Sequence, residues 1–301
     1  MGLGIMSGTQ KPVMTREKLG ERLFFETLLS SDSSISCASC HKPEFAFADT
    51  LPFSIGVGGR SGRRNTPSAM NMSSREIFFF DGRAATLELQ STFPIQDHNE
   101  MNLPLAVAVT RLQSHPQYLQ WFKEVYGMAP SVKNLQSALA AYERTLETSA
   151  TPNDRWLNDE PGGFTEAQIR GREVFFNKGK CIECHFTPDF TGDEFRNIGL
   201  FNGRGLNDSG RYSITRRPED LGRFKVPGLR NVAVTAPYMH DGSYKTLRDV
   251  IDYYDDPDKF VEHSINRDSL LNGPLKLTEQ EKQDLESFLH GLTDDRFVKR
   301  Q

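Results

Sequence analysis

All four cysteines of this chain fall in two copies of one pentad, Cys37-Ala-Ser-Cys40-His41 and Cys181-Ile-Glu-Cys184-His185. None is left over to pair elsewhere. Two thiols separated by two residues can each bond one vinyl group of a haem, while the adjacent His places its imidazole beneath the iron. The same residues also permit a thioredoxin-like redox pair, or half of a zinc site in each copy. A redox pair needs no following His, and two such Cys-Cys-His sets so far apart in sequence make an odd zinc site. Repetition of the whole pentad favours two covalent c-type haems.

The repeat extends beyond the pentads. A Gly-x-x-x-Phe-Phe pattern precedes each, Gly20 to Phe25 and Gly171 to Phe176, and reads as helix. After the pentads, Pro67-Ser-Ala-Met-Asn71, Asp81-Gly82 and Thr86-Leu87 recur at the same spacing as Pro227-Gly-Leu-Arg-Asn231, Asp241-Gly242 and Thr246-Leu247. This self-similarity predicts one haem domain duplicated. Thr165 with Gln168 reads as a capping box, Pro130 to Ser149 as a long amphipathic helix, and Thr278 with Glu281 as the cap of another, on which Leu285, Phe288, Leu289 and Leu292 share a face. No sustained period-two alternation occurs. The expected fold is mainly α: two cytochrome-c-like domains, residues 1–160 and 161–301, joined near the polar turn Thr151-Pro-Asn-Asp154 and the stretch Asp159-Glu-Pro-Gly-Gly163.

Bulk properties set limits. A net charge of -4 over 301 residues gives no basic field that would imply a nucleic-acid partner, and no apolar run is long enough to span a membrane. The first residues lack a charged start, apolar run and cleavage site. Covalent c-type haem is normally attached outside the cytoplasm, so the start reads as that of a chain whose leader has been removed.

The two halves differ at one informative place. Thirteen residues beyond Asp81 lies Pro94, and thirteen beyond Asp241 lies Tyr254. If equivalent positions hang over equivalent haem faces, Tyr254 offers the second iron an oxygen ligand while Pro94 offers the first none. One haem is then closed and one open.

The pentads, Arg64-Asn-Thr-Pro67, Asp81-Gly-Arg-Ala84, Thr86-Leu-Glu88, Asn99-Glu-Met101 and Thr235-Ala-Pro-Tyr-Met-His-Asp-Gly242 together resemble the bacterial dihaem cytochrome c peroxidase and MauG superfamily. The resemblance runs roughly from Glu17 to Gly291. It implies a peroxide-reactive N-terminal haem on His41 and an electron-storing C-terminal haem on His185, with calcium between the domains. By motif position Asn65 would give calcium a side-chain oxygen, and Thr235 and Pro237 backbone carbonyls. Gln90 and Glu100 would line the open face of the first haem, Glu100 as the acid/base that moves the peroxide proton.

Three departures from the ordinary peroxidase pattern matter. The loop Ser54-Ile-Gly-Val57-Gly58 lacks the His that blocks the peroxide site in those enzymes until the storing haem is reduced. Tyr254 stands where they carry Met, and a tyrosinate ligand lowers an iron's potential. Both changes resemble the MauG-like branch. Phe80 stands where the superfamily commonly has a Trp between the haems, which puts a hopping role there in doubt. Met239 is the competing ligand for the second iron, being spaced from its pentad as in many single-haem cytochromes c; its first-half counterpart is Phe79. His240, in the same turn, reads equally as a hydrogen-bonding partner near Tyr254 or as structure, and the arginines Arg60, Arg63, Arg64 and Arg204 to Arg223 read mostly as solvated. Trp121 reads as core, and Trp156 as packing or an electron-transfer station.

The leading expectation is a periplasmic enzyme that uses hydrogen peroxide to oxidise an aromatic side chain, a Trp, of a secreted protein substrate. The alternatives are a peroxidase drawing electrons from a small cytochrome or cupredoxin, and a dihaem electron carrier without chemistry, against which Glu100 and the open face argue.

Overall fold

The computed structural model describes residues 13–298, which form short helices and long ordered loops, with one two-stranded antiparallel ribbon, Phe195–Arg196 against Phe224–Lys225. Its organising feature occurs twice. The helix Arg16–Phe24, capped by Thr15, crosses the helix Val132–Glu143. In the second half the helix Glu166–Phe176 crosses Glu279–His290 in the same way. Three of these helices begin with reciprocal capping boxes, Ser131 with Asn134, Thr165 with Gln168 and Thr278 with Glu281. The last two are those the sequence predicts.

Each crossing depends on a glycine. A Cβ at Gly20 would overlap the Ala138 carbonyl oxygen, and one at Gly171 the Asp284 carbonyl oxygen. The first helix of each half therefore presses its backbone onto the last. Around the first crossing Leu19, Leu23, Phe24, Phe122, Leu135 and Leu139 form one core; around the second Val174, Phe175, Phe190, Leu285 and Phe288 form another.

The backbone repeats in detail. Phe79 and Met239 both take left-handed conformations inside turns closed by the bridges Phe78–Ala84 and Tyr238–Tyr244. Asn71 and Asn231 are left-handed as well. The Asn71 amide donates to the Leu146 carbonyl and its Oδ1 accepts from the Thr148 amide; Asn231 does the same with Leu292 and Asp294. This pairing explains why the predicted helix over Pro130 to Ser149 ends early, at Glu143. The chain beyond it must open so that Leu146 and Thr148 can meet Asn71. The predicted polar turn at Thr151 is instead the start of a short helix, Pro152–Leu157, because Thr151 and Asp154 cap each other and proline is welcome in a first turn.

The halves are joined by partly buried polar contacts. Arg64, expected to be solvated, is half-buried, forks onto both carboxylate oxygens of Asp208 and also reaches Asp81 at 2.7 Å. Asn231 Nδ2 donates to the Thr148 hydroxyl, and Arg230 pairs with Asp154. No helix among the described residues is long and apolar enough to cross a membrane.

The crossings yield a test. Gly20→Ala or Gly171→Ala forces backbones apart in a packed core, so each should cost about 1–3 kcal/mol or more, the usual range for overpacking. Urea unfolding of the haem-loaded protein measures this, and an unchanged midpoint would mean the helices separate freely.

Candidate active site

The pentads lie just after the first helix of each half, Cys37–Cys40 as one helical turn and Cys181–Glu183 as a 3-10 turn. The four thiols are free rather than paired in disulfides. Burial raises all of them, Cys40 and Cys184 to about 11. Both histidines are fixed alike: His41 Nδ1 meets the Phe47 carbonyl at 2.9 Å, and His185 Nδ1 the Phe190 carbonyl at 2.8 Å. Phe47 and Phe190 are both left-handed, which turns those carbonyls inward. Burial lowers both imidazoles, so each is neutral with Nδ1–H donated and Nε2 free to bind a metal.

A large apolar cavity opens above the second pentad. Its wall includes Cys181, Cys184 and His185 together with both Met239 and Tyr254. Buried apolar walls, two thiols and an imidazole with a free Nε2 suit a c-type haem. Burial pushes the Tyr254 phenol well up, so it would be held as a phenolate only by a strong Lewis acid. Met239 and Tyr254 pack in one cluster with Leu200, Tyr253 and Val261. His240 stacks on Phe224 with ring centres 3.9 Å apart, and its carbonyl accepts the Asn65 amide.

The cavity also reaches the first half. Phe80 lines it, and the Phe80 carbonyl accepts the amide of Lys225, another lining residue, at 2.8 Å. Asn65, Thr235 and Pro237 lie on the same wall. Asn65 Nδ2 donates to the Leu51 and Pro52 carbonyls, which turns its Oδ1 away from them as a free acceptor. Asn65 Oδ1 with the Thr235 and Pro237 carbonyls would give an oxygen donor set of the kind calcium takes.

The two halves part company over the distal face. After Thr246 the helix Leu247–Asp255 runs unbroken and carries Tyr254. After Thr86 the corresponding run breaks into Leu87–Gln90 and Phe93–Gln96, with Pro94 in the first turn of the second piece. Proline tolerates that position and cannot continue the earlier helix. Gln90 Oε1 is buried without a partner, a polar atom with unused accepting capacity.

Glu100 is held from several sides. The Val57 amide donates to its carbonyl at 2.9 Å, its own amide donates to Asp97, and neighbouring Met101 donates to Pro94. Gly56 makes this possible, because a Cβ there would overlap the Asn99 carbonyl oxygen. Burial first, then the Asp97 charge, raises Glu100 to about 7, against the pull of Arg83. Its charge is also felt at Cys37 and Cys40. A carboxyl poised there can both take and return a proton at neutral pH. Arg83 spans Phe79, at 3.5 Å from the ring centre, and Phe93, and pairs with Asp81.

Sequence reasoning missed Glu143. It is buried at the end of the helix Val132–Glu143, and burial raises it to about 8 with no compensating hydrogen bond. Counting from the two glycine crossings, its counterpart is Leu289, which lines the second cavity. Glu143 thus presents a neutral acid where the other half presents a hydrocarbon, and its charge is felt at Cys37. Comparing the two last helices position by position would have found it.

Because its folded value lies above the ordinary one of 4.5, this group costs nothing below pH about 4.5 and progressively destabilises the fold as pH rises to about 8. Glu143→Leu should therefore gain about 2–5 kcal/mol at pH 9 over the parent, and far less at pH 4.5. Urea unfolding at the two pH values checks this; parallel pH slopes in parent and variant would overturn it.

The family model for di-haem cytochrome c peroxidases matches residues 14–162. The methylamine utilization protein MauG of Methylorubrum extorquens is 37% identical over 288 residues, 93% of this chain and 79% of that protein. The cytochrome c551 peroxidase of Pseudomonas aeruginosa is 33% identical over 250 residues, 80% of this chain and 72% of that protein. Among solved structures, a MauG-like protein associated with microbial copper homeostasis superposes with a TM-score of 0.85 at 30% identity, covering 99% of both chains. The chain belongs to the dihaem cytochrome c peroxidase and MauG family of peroxide-dependent dihaem oxidoreductases.

Proposed function

We propose that this protein is of the MauG-like type: it reacts with hydrogen peroxide at an open first haem and uses the oxidising equivalents, shared with a closed second haem, to oxidise a Trp side chain of a secreted partner protein in the periplasm. The observation that carries this reading is the asymmetry between Pro94 and Tyr254 at corresponding places in the two halves.

When bound through Cys37, Cys40 and His41, the first haem supplies the site at which peroxide is cleaved. The residues above it do the proton work. Glu100 takes the proton from the near oxygen of peroxide and returns it to the departing one. Gln90 Oε1, otherwise unpartnered, would accept a hydrogen bond from an O–H of the bound peroxide. Val57 is buried and tied to Glu100 by its amide, so the loop of residues 54–58 brings no side-chain ligand to this face. A resting protein without a blocking ligand needs no prior reduction.

On the other side, His185 and Tyr254 would hold the second iron, with Cys181 and Cys184 as covalent anchors and Met239 as the alternative to Tyr254. Asn65, Thr235 and Pro237 would hold calcium beside Phe80, stiffening the seam that the two haems share.

The oxidised protein should show one high-spin and one low-spin signal in electron paramagnetic resonance, and Tyr254→Phe should remove the low-spin one. Two low-spin signals in the parent would sink the open-haem reading, and an unchanged Tyr254→Phe spectrum would move the ligand to Met239. Glu100→Gln should leave the resting spectrum alone yet slow the reaction of oxidised protein with stoichiometric peroxide by about 10²–10⁴. If the variant reacts as fast as the parent, Glu100 is a bystander; if reaction demands prior half-reduction, the peroxidase alternative gains.

A further inference from the structure

The chain contains two tryptophans, Trp121 and Trp156, and both are half-buried. Trp156 ends an aromatic path toward the second pentad, and Trp121 shares a groove with the end of a path toward the first. Trp156 stacks on Phe164 at 5.4 Å, Phe164 meets Phe288 at 5.6 Å, and Phe288 meets Phe190, whose carbonyl holds His185. Trp121 meets Tyr118 at 5.4 Å, across a groove from Phe25; Phe25 meets Phe24 at 5.6 Å, and Phe24 meets the His41 ring at 6.3 Å.

Their charged neighbours differ, although Arg22 borders the groove at Trp121 as well. Arg172 lies over the Trp156 ring at 5.0 Å, and a cation there opposes removal of an electron. Tyr118 instead donates its phenolic hydrogen to Glu26 Oε2 at 2.7 Å, so a base waits for the proton that a phenol must shed when it loses an electron. Glu26 is itself fixed, because its Oε1 accepts the Leu28 amide. The groove beside Tyr118 and Trp121 is open, holds about 450 Å³ and is also bordered by Arg22, Phe25 and His115. That volume lies within the usual range of about 300–1,000 Å³ for small-molecule sites. Neither Tyr118 nor Trp121 takes part in the peroxide site described above.

We propose that this groove is a second substrate site, where a small phenol delivers electrons one at a time, through Trp121 and Tyr118, to the oxidised first haem. Tyr118 gives one electron inward and its proton to Glu26. The bound phenol then returns one electron by way of Trp121, Glu26 returns the proton to Tyr118, and the phenol's own proton passes to solvent. Two phenols each lose one electron and one proton, and one peroxide becomes two waters. The proposal rests on the reading of the first haem as the peroxide-reactive one.

Guaiacol with peroxide and the haem-loaded protein tests it. Trp121→Phe and Tyr118→Phe should each lower kcat/KM for guaiacol by about tenfold or more. The stopped-flow reaction of the haems with peroxide should keep the parent rate. In peroxide without a donor, peptide mass spectrometry of the parent should find added oxygen at Trp121 and not at Trp156, and guaiacol should protect Trp121. Full guaiacol turnover in both variants, or oxidation at Trp156 with Trp121 untouched, would overturn the second site while leaving the peroxide reading intact. A parent whose haems do not respond to peroxide would overturn both.

Discussion

Everything in this protein hangs on a close backbone contact made twice, where Gly20 lies on the Ala138 carbonyl and Gly171 on the Asp284 carbonyl. By letting first and last helices of each half touch without side chains between them, it fixes where each pentad begins. The pentad in turn sets the imidazole, and the left-handed Phe47 and Phe190 aim their carbonyls at its Nδ1. A haem-binding His with one nitrogen committed in this way has one orientation and one tautomer. Distal differences between the halves can then act on two equivalent starting points.

Much of this was legible because the chemistry demands particular residues at fixed spacing. Haem attachment needs the pentad, the crossing needs glycine, the caps need Thr or Ser with Gln, Glu or Asn three places on. The repeated Asp-Gly turns follow for the same reason, since Gly82 and Gly242 take positive φ. What escaped the sequence depends on contacts between distant segments. Nothing local says that Arg64 will be sequestered by Asp208, or that the helix ending at Glu143 must stop for Asn71. Trp121 was expected in the core; it packs half-buried against the core's edge, because its helix Pro116–Tyr126 gives Tyr118 and Phe122 to the interior and leaves part of Trp121 on a groove.

The first half carries two raised carboxyls, Glu100 and Glu143, while the second has Leu289 at the place of Glu143 and Tyr254 at the place of Pro94. Burial is the first cause in both cases: it keeps Glu143 mostly protonated at neutral pH and brings Glu100 to the middle of its titration. Proton-handling groups are thus gathered in one half. The cavity of the other half is walled mainly by apolar side chains. That division of labour matches the proposed pairing of a peroxide-reactive haem with a storing one.

Phe80 at the seam bears on how the two could share charge. The residue lacks the easily oxidised indole common at this place in the family, yet it keeps its position in the wall of the second cavity, and its carbonyl is bonded to Lys225. What is lost is a place for an electron vacancy to rest, not the covalent and hydrogen-bonded connection itself. Sharing between haems would then proceed as direct tunnelling across this seam, with no radical on the bridging ring. The missing indole here contrasts with Trp121, which borders a surface groove beside the Tyr118–Glu26 pair.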